Sequence, residues 1–166
     1  FGLNTKTIDL TKIYENLIGI LPTANKLTQA NLKPRLRMLT LYYFANKLNY
    51  IVAGTGNKSE LSIGYFTKYG DGGVDILPIG DLYKSEVRGL AKYLKVPEEI
   101  ITKPPTAGLW TGQTDEGEIG MTYDELEYGL KNKKPAKNKR QTQKLKNLTD
   151  AAKHKLALPE IFSKGQ

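Results

Sequence analysis

Along the chain, apolar residues repeat with a helical period near the start. Leu10, Ile13, Tyr14, Leu17, Ile18 and Leu21 fall at i, i+3, i+4, i+7, i+8 and i+11, one stripe of an amphipathic helix stopped by Pro22. The residues before it, Thr5 to Asp9, read as the tail of a strand. A second helix is predicted from about Asn31 to Lys47, with Asn31 as its cap and Pro34 tolerated in the first turn. Tyr50-Ile51-Val52-Ala53-Gly54 is a short apolar run ending in a Gly-Thr-Gly turn, the pattern of a buried strand. A short helix over Lys58 to Ile63, a Gly- and Tyr-rich loop to Gly73 and an extended segment over Val74 to Ile79 follow. Val87, Leu90, Ala91 and Leu94 then mark a third long helix, ending before Val96-Pro97. Strand, helix, strand, helix in this order predicts an α/β layer with a parallel sheet.

From Lys103 to Gly120 the chain is rich in Pro, Gly and Thr, a stretch too long to be an idle connection in a compact domain. Thr122-x-x-Glu125 is a capping box opening a helix that ends near Leu130, and a last helix is expected over Thr149 to Lys155.

Composition narrows the function. The 166 residues carry 25 Lys plus Arg against 17 Asp plus Glu, one His and no Cys. They suit one domain with a single core, and the absence of cysteine excludes disulfides and thiolate metal sites. No apolar run approaches the roughly 18 residues of a membrane span, so a soluble chain is expected. Phe1 is not a natural translation start, which points to sequence missing upstream. The net charge of +8 sits in one place: Lys131 to Lys146 holds eight basic and no acidic residues, and without it the two signs balance at 17 each. Lacking aromatic residues to stack bases, this segment reads as a solvated, mobile connection. A nucleic-acid grip is the less favoured alternative.

Four segments concentrate small, flexible and charged residues where strands would end: GTGNKSE (54–60), FTKYGDGGVD (66–75), LPIGDLYK (77–84) and KPPTAG (103–108). Ligands gather at the carboxyl ends of strands in open α/β sheets. Each segment has a plain reading too: Gly54, Gly56 and Asp71-Gly72 make turns, Glu60 offsets Lys58 on a helix surface, and Lys84 is a solvent-facing cation opposed to its helix dipole.

Together with LKPRLRM (32–38), GLW (108–110), MTYDEL (121–126) and His154-Lys155, these segments resemble the NAD synthetases of the ammonia-using type, within the N-type ATP pyrophosphatase group. The resemblance runs from about Asp9 to the end. It implies a Rossmann-like parallel sheet flanked by helices, a homodimer and a cytoplasmic ligase of NAD biosynthesis. In that chemistry a nicotinate carboxylate attacks the α-phosphate of ATP, pyrophosphate leaves, and ammonia displaces AMP from the adenylate. By the same resemblance Thr55, Lys84 and Thr106 bind ATP, Glu60 binds Mg²⁺, and Arg35, Lys68, Asp75, His154 and Lys155 bind deamido-NAD. The resemblance assigns no catalytic residue. These residue types suit such chemistry, since cations and Mg²⁺ meet phosphate oxygens and a carboxylate accepts from ribose hydroxyls.

The chain departs from the family in lacking a Ser-Gly-Gly-x-Asp-Ser loop, whose backbone N–H groups would hold pyrophosphate. The expectation is a partial domain, truncated at its first strand-helix-strand unit and inactive alone. A non-catalytic nucleotide-binding paralogue is the alternative. Tyr83 stands where relatives carry a Thr able to cap the helix of Lys84, so Asp81 is expected to compensate.

Overall fold

A computed structural model describes residues 2–132 and 139–162. The described residues form nine helices: α1 (Thr11–Ile20), α2 (Lys26–Ala30), α3 (Leu32–Leu48), α4 (Lys58–Ser62), α5 (Lys84–Tyr93), α6 (Glu98–Ile101), α7 (Asp115–Ile119), α8 (Tyr123–Asn132) and α9 (Lys139–Leu156). No helix is long and apolar enough to cross a membrane among the described residues.

The helix starts follow local chemistry. Thr5 to Asp9 forms no strand, and the Asp9 carboxylate accepts from the Thr11 N–H at 2.9 Å just ahead of α1. The Asn25 side chain caps α2 through the Thr28 N–H at 2.9 Å. Asn57 and Glu60 close a reciprocal capping box on α4, at 3.0 and 3.1 Å. Thr122 and Glu125 do the same before α8, both bonds at 3.2 Å, as the sequence predicts.

The expected sheet is reduced, among the described residues, to one parallel bridge between Ala53 and Ile76. Gly54 N–H donates to the Ile76 carbonyl at 2.8 Å and Asp75 N–H to the Val52 carbonyl at 2.9 Å. The ladder stops there for a chemical reason. The Val52 N–H is taken by the Asp75 carboxylate at 2.7 Å, and Pro78 has no N–H to offer. Val52 is buried, whereas Tyr50 and Ile51 are 71% and 64% exposed, which corrects the expectation of a buried strand over the whole run.

The main core is built by Ile63, Ile119, Met121, Tyr123 and Leu126, with Leu145 and Leu148 of α9 packed against it. This explains a second difference. The basic segment reads in the sequence as a mobile connection, yet Lys131 and Asn132 finish α8 and α9 begins already at Lys139. Leu145, Leu148 and Ala152 recur at helical spacing and reach the core, so apolar packing carries the helix through a run of cations. The rest of that segment, 133–138, lies outside the described residues. The stretch after Ile101 is also less irregular than its composition suggests, because Thr114 caps the short α7 through the Gly117 N–H at 3.2 Å.

One glycine is fixed by geometry. Gly64 has φ +65°, and a Cβ there would stand 3.0 Å from the Ala152 Cα, so α9 lies directly against this turn.

Candidate functional site

The turn after Ala53 leads into α4, and the turn after Ile79 leads into α5. Both helices start against one buried carboxylate. Glu127 of α8, only 4% exposed, accepts from the Ser59 hydroxyl at 3.0 Å, the Ser85 N–H at 3.1 Å and the Ser85 hydroxyl at 2.5 Å. The Ser59 hydroxyl oxygen in turn accepts from the Lys84 N–H at 3.0 Å. The start of α5 is therefore held by Glu127 and Ser59, with the Glu86 carboxylate taking the Tyr83 N–H at 2.7 Å. Asp81 does not compensate for Tyr83 as expected. It pairs with Lys58 at 2.8 Å, and that ammonium holds its carboxyl below the usual carboxylate range.

This scaffold brings the first group of candidate residues together. Thr55, Glu60, Lys84 and Thr106 line one cavity of about 490 Å³, together with the cations Arg88 and Lys103 and the carboxylates Asp71 and Asp115. Lys84 Nζ lies 2.9 Å from Glu60 Oε1, both side chains mostly buried at 21% and 16% exposed. The other Glu60 oxygen is held by the Asn57 N–H of the capping box. Thr106 sits in the Pro-rich turn, where its Oγ1 accepts from the Gly108 N–H at 3.1 Å. The Pro105 carbonyl accepts from the Asp115 N–H at 3.0 Å, which ties this turn to α7.

Asp115, Tyr123 and Tyr65 do not stand out in the sequence and yet shape the same site. The Tyr123 hydroxyl donates to Asp115 Oδ2 at 3.0 Å and stands 3.4 Å from Glu60 Oε1. Burial pushes the Asp115 carboxyl above the usual carboxylate range and raises the Tyr123 phenol, which the two carboxylates raise further. Tyr65 donates to Glu118 at 2.5 Å, and burial raises its phenol as well. Asp115 directly follows the Gly-Gln-Thr tripeptide at 112–114. Its only sequence signal is an acidic residue at the start of a capped segment, which by itself reads as a favourable helix charge.

A second cavity of about 640 Å³ adjoins the first and shares Thr55, Tyr65, Asp71, Thr106 and Ala107 with it. Its wall is more apolar, with Pro34, Met38 and Phe66. Of the five residues expected to meet a dinucleotide, Lys155 lines this cavity. Its ammonium donates to the Gly64 and Phe66 carbonyls at 2.7 and 2.8 Å, and burial lowers its pKa against the pull of Asp71. Arg35, Lys68 and His154 form a chain that does not line it: Arg35 donates to the Lys68 carbonyl at 3.3 Å and Lys68 donates to the His154 carbonyl. Asp75 is separate, both oxygens engaged by Val52 N–H and by the Tyr42 hydroxyl at 3.0 Å.

The two joined cavities, one lined by charges of both signs and one more apolar, sit in a chain whose residues 1–159 match the family model described as NAD synthase. The chain belongs to the NAD synthase family. Among curated relatives, it is 58% identical over 135 residues to the NH(3)-dependent NAD(+) synthetase of Carboxydothermus hydrogenoformans, covering 77% of this chain and 56% of that one. It is 50% identical over 165 residues to the same enzyme of Archaeoglobus fulgidus, covering 96% of this chain and 66% of that one. Among solved structures it is similar to an NMN synthetase from Francisella tularensis, with TM-score 0.85, 42% identity and coverage of 95% of this chain and 66% of the other. It is also similar to an NH3-dependent NAD synthetase from Campylobacter jejuni, with TM-score 0.74, 33% identity and coverage of 94% and 64%. The chain thus shares the fold of NAD synthetases while spanning 56–66% of the length of these two curated relatives.

Proposed function

We propose that this chain is the part of an ammonia-dependent NAD synthetase that binds ATP and most of the deamido-NAD, within an α/β Rossmann-like parallel sheet flanked by helices. The observation that carries this is the convergence of Thr55, Glu60, Lys84 and Thr106 on one cavity that opens into a second. The reaction is the one that membership of the family implies. The nicotinate carboxylate of deamido-NAD attacks the α-phosphorus of ATP; the bond to the β-phosphate oxygen breaks and pyrophosphate leaves. Ammonia then adds to the acyl carbon, the bond from that carbon to the bridging oxygen breaks, AMP departs with this former carboxylate oxygen, and the added nitrogen loses a proton.

On this reading Lys84 neutralises phosphate charge as a compact cation, and Thr55 and Thr106 offer hydroxyls to phosphate or ribose. Lys155 lines the dinucleotide cavity, and Arg35, Lys68 and His154 would meet the part of the dinucleotide that extends beyond it. Asp75 would have to exchange its Tyr42 bond for a ribose hydroxyl. Pro34, Met38 and Phe66 of the more apolar cavity would help exclude water, which would hydrolyse the adenylate. The donor set fits Mg²⁺. Among the described residues no group of three or more ligating side chains converges, but Glu60 and Asp115 face one cavity, and this ion needs only one or two carboxylates beside phosphate and water. When bound, it would draw off the charge that builds on the phosphates.

The Ser-Gly-Gly-x-Asp-Ser loop is not among these 166 residues, so they bind nucleotide without turning it over. The test compares this chain with a longer form that carries such a loop upstream. Given ATP, Mg²⁺, ammonia and deamido-NAD, the longer form should yield AMP, pyrophosphate and amide in equal amounts, and this chain none. Release of ADP, or AMP without amide, would overturn the assignment. The likeness to an NMN synthetase favours a second reading in which the acceptor is the mononucleotide acid. Offering both acids to the same assay separates the two.

We also infer a homodimer. The stripe of α1 is half-covered, but Ile13 at 53% and Ile20 at 80% exposure on α1, with Leu39 at 64% and Tyr43 at 61% on α3, leave apolar surface uncovered. Sedimentation equilibrium should return twice the chain mass at micromolar concentration, and Ile20→Glu should return the monomer. A wild-type monomer would remove the inference.

A further inference from the structure

We propose that Tyr123 is a positioning residue that keeps the Lys84 ammonium directed into the phosphate cavity, by occupying Asp115, the carboxylate that would otherwise compete for it. This rests on the ATP-dependent reading above and names a residue to which neither the motifs nor the relatives assign a role. The observation that carries it is that one face of α8 holds both ends of Lys84. Tyr123 and Glu127 stand at i and i+4 and so share that face. Glu127 holds the Ser59 hydroxyl, whose oxygen accepts from the Lys84 N–H at 3.0 Å, which fixes the backbone end. At the other end Lys84 Nζ lies 5.2 Å from the centre of the Tyr123 ring, within reach of a cation–π attraction. Tyr123 itself is 2% exposed, and its N–H is tied to Glu116 at 2.9 Å, so the ring is a fixed platform for a long, flexible side chain.

The phenol sorts the charges around that ammonium. The cavity carries Glu60, Asp71 and Asp115 against Lys84, Arg88 and Lys103. Asp71 is engaged by the Thr67 N–H at 2.9 Å, and Glu60 by Lys84 at 2.9 Å. Asp115 is buried, and its Oδ2 accepts from the Tyr123 hydroxyl at 3.0 Å. The Tyr65 hydroxyl, also set against Asp115, donates to Glu118 at 2.5 Å. Burial raises the Asp115 carboxyl, while the Tyr123 hydroxyl and then the Lys84 charge lower it, so Lys84 and Asp115 act on each other across the cavity. The Tyr123 hydroxyl also stands 3.4 Å from Glu60 Oε1, which places it between the two carboxylates. Without that hydroxyl, Asp115 draws on the ammonium instead, and Lys84 turns from Glu60 and the phosphates. A role confined to the fold explains less. A core tyrosine in need of a hydrogen bond is served by a single acceptor, and gains nothing from an ammonium against its ring and a second carboxylate at its oxygen.

Calorimetric titration of the 166-residue chain at fixed excess Mg²⁺ tests this, with α,β-methylene-ATP and with adenosine as ligands. The proteins are wild type, Tyr123→Phe, Asp115→Asn, the double variant and Lys84→Met. Phenylalanine keeps the ring in the core and removes only the hydroxyl, and melting without ligand verifies each fold. Tyr123→Phe should weaken the analogue by about tenfold, the loss of one hydrogen bond to a charged group, and leave adenosine within about twofold. In the Asp115→Asn background, where that carboxylate no longer competes, the same change should weaken the analogue by less than about twofold. An equal loss for both ligands, an equal loss in both backgrounds, or no loss at all overturns the proposal, while the ATP reading stands as long as Lys84→Met weakens the analogue. If Tyr123→Phe alone does not fold, the double variant decides: it should fold and bind like Asp115→Asn, and a failure of either kind overturns the proposal. If Lys84→Met binds the analogue like wild type, or wild type binds neither ligand, the ATP reading and the proposal fall together.

Discussion

Replacing Lys84 with methionine is expected to weaken ATP binding by about ten- to a hundredfold, the loss of one charge-assisted contact worth about 1.5–3 kcal/mol. The magnitude follows from placement. Lys84 is mostly buried and paired with Glu60 in a cavity that Asp71 and Asp115 also line. Without its ammonium, Glu60 is left unpaired beside an incoming polyanion, so the loss exceeds that of Lys103, which is exposed. Arginine at position 84 is expected to restore only part of the affinity, because a planar fork does not reproduce a point charge in an enclosed space. Calorimetric titration with a non-hydrolysable ATP analogue measures this. An affinity within twofold of wild type in Lys84→Met would remove Lys84 from the phosphate site.

The second large effect is expected at Glu127, which no ligand touches in the proposed scheme. Glu127→Ala should lower stability by about 3–5 kcal/mol, the range for removing one side of a buried charged network. Three donors lose their acceptor: the Ser59 hydroxyl, the Ser85 N–H and the Ser85 hydroxyl. Ser59 has no solvent exposure to fall back on. Because Ser59 also holds the Lys84 N–H, the beginning of α5 loosens with it, and nucleotide affinity should fall along with stability. Glu127→Gln keeps an acceptor and should cost less than half as much. Urea unfolding followed by circular dichroism decides this, and a change under about 1 kcal/mol for the alanine variant would show that the network adds little to the fold.

The contrast between these two residues shows what could be read without coordinates. Lys84 stands out because it closes a long, specific segment from Phe66 onwards. Glu127 lies in an ordinary run, Asp-Glu-Leu-Glu-Tyr, where an acidic residue on a short helix reads as solvated. Only packing against α4 and α5 turns it into a buried acceptor. Asp115 is similar: its residue type is visible in the sequence, but its unpaired oxygen exists only once Tyr65, Tyr123 and the Pro105 turn surround it. The last helix makes the point in reverse. Cations at 139–146 suggest a solvated strand of chain, yet Leu145, Leu148 and Ala152 are spaced to share a face and find a core there.

What the sequence alone determined is local. The amphipathic stripe of α1 and the capping box at Thr122 depend on residues within a few positions of each other, and both helices formed where expected. Pairing and burial were decided by the tertiary structure. Whether Tyr50 to Gly54 extends a sheet depends on what lies beside it, and Asp75 intercepts the Val52 N–H that a strand would have used. Whether a carboxylate is a surface charge, a helix cap or a candidate cation ligand depends on which groups remain to satisfy it once water has been excluded.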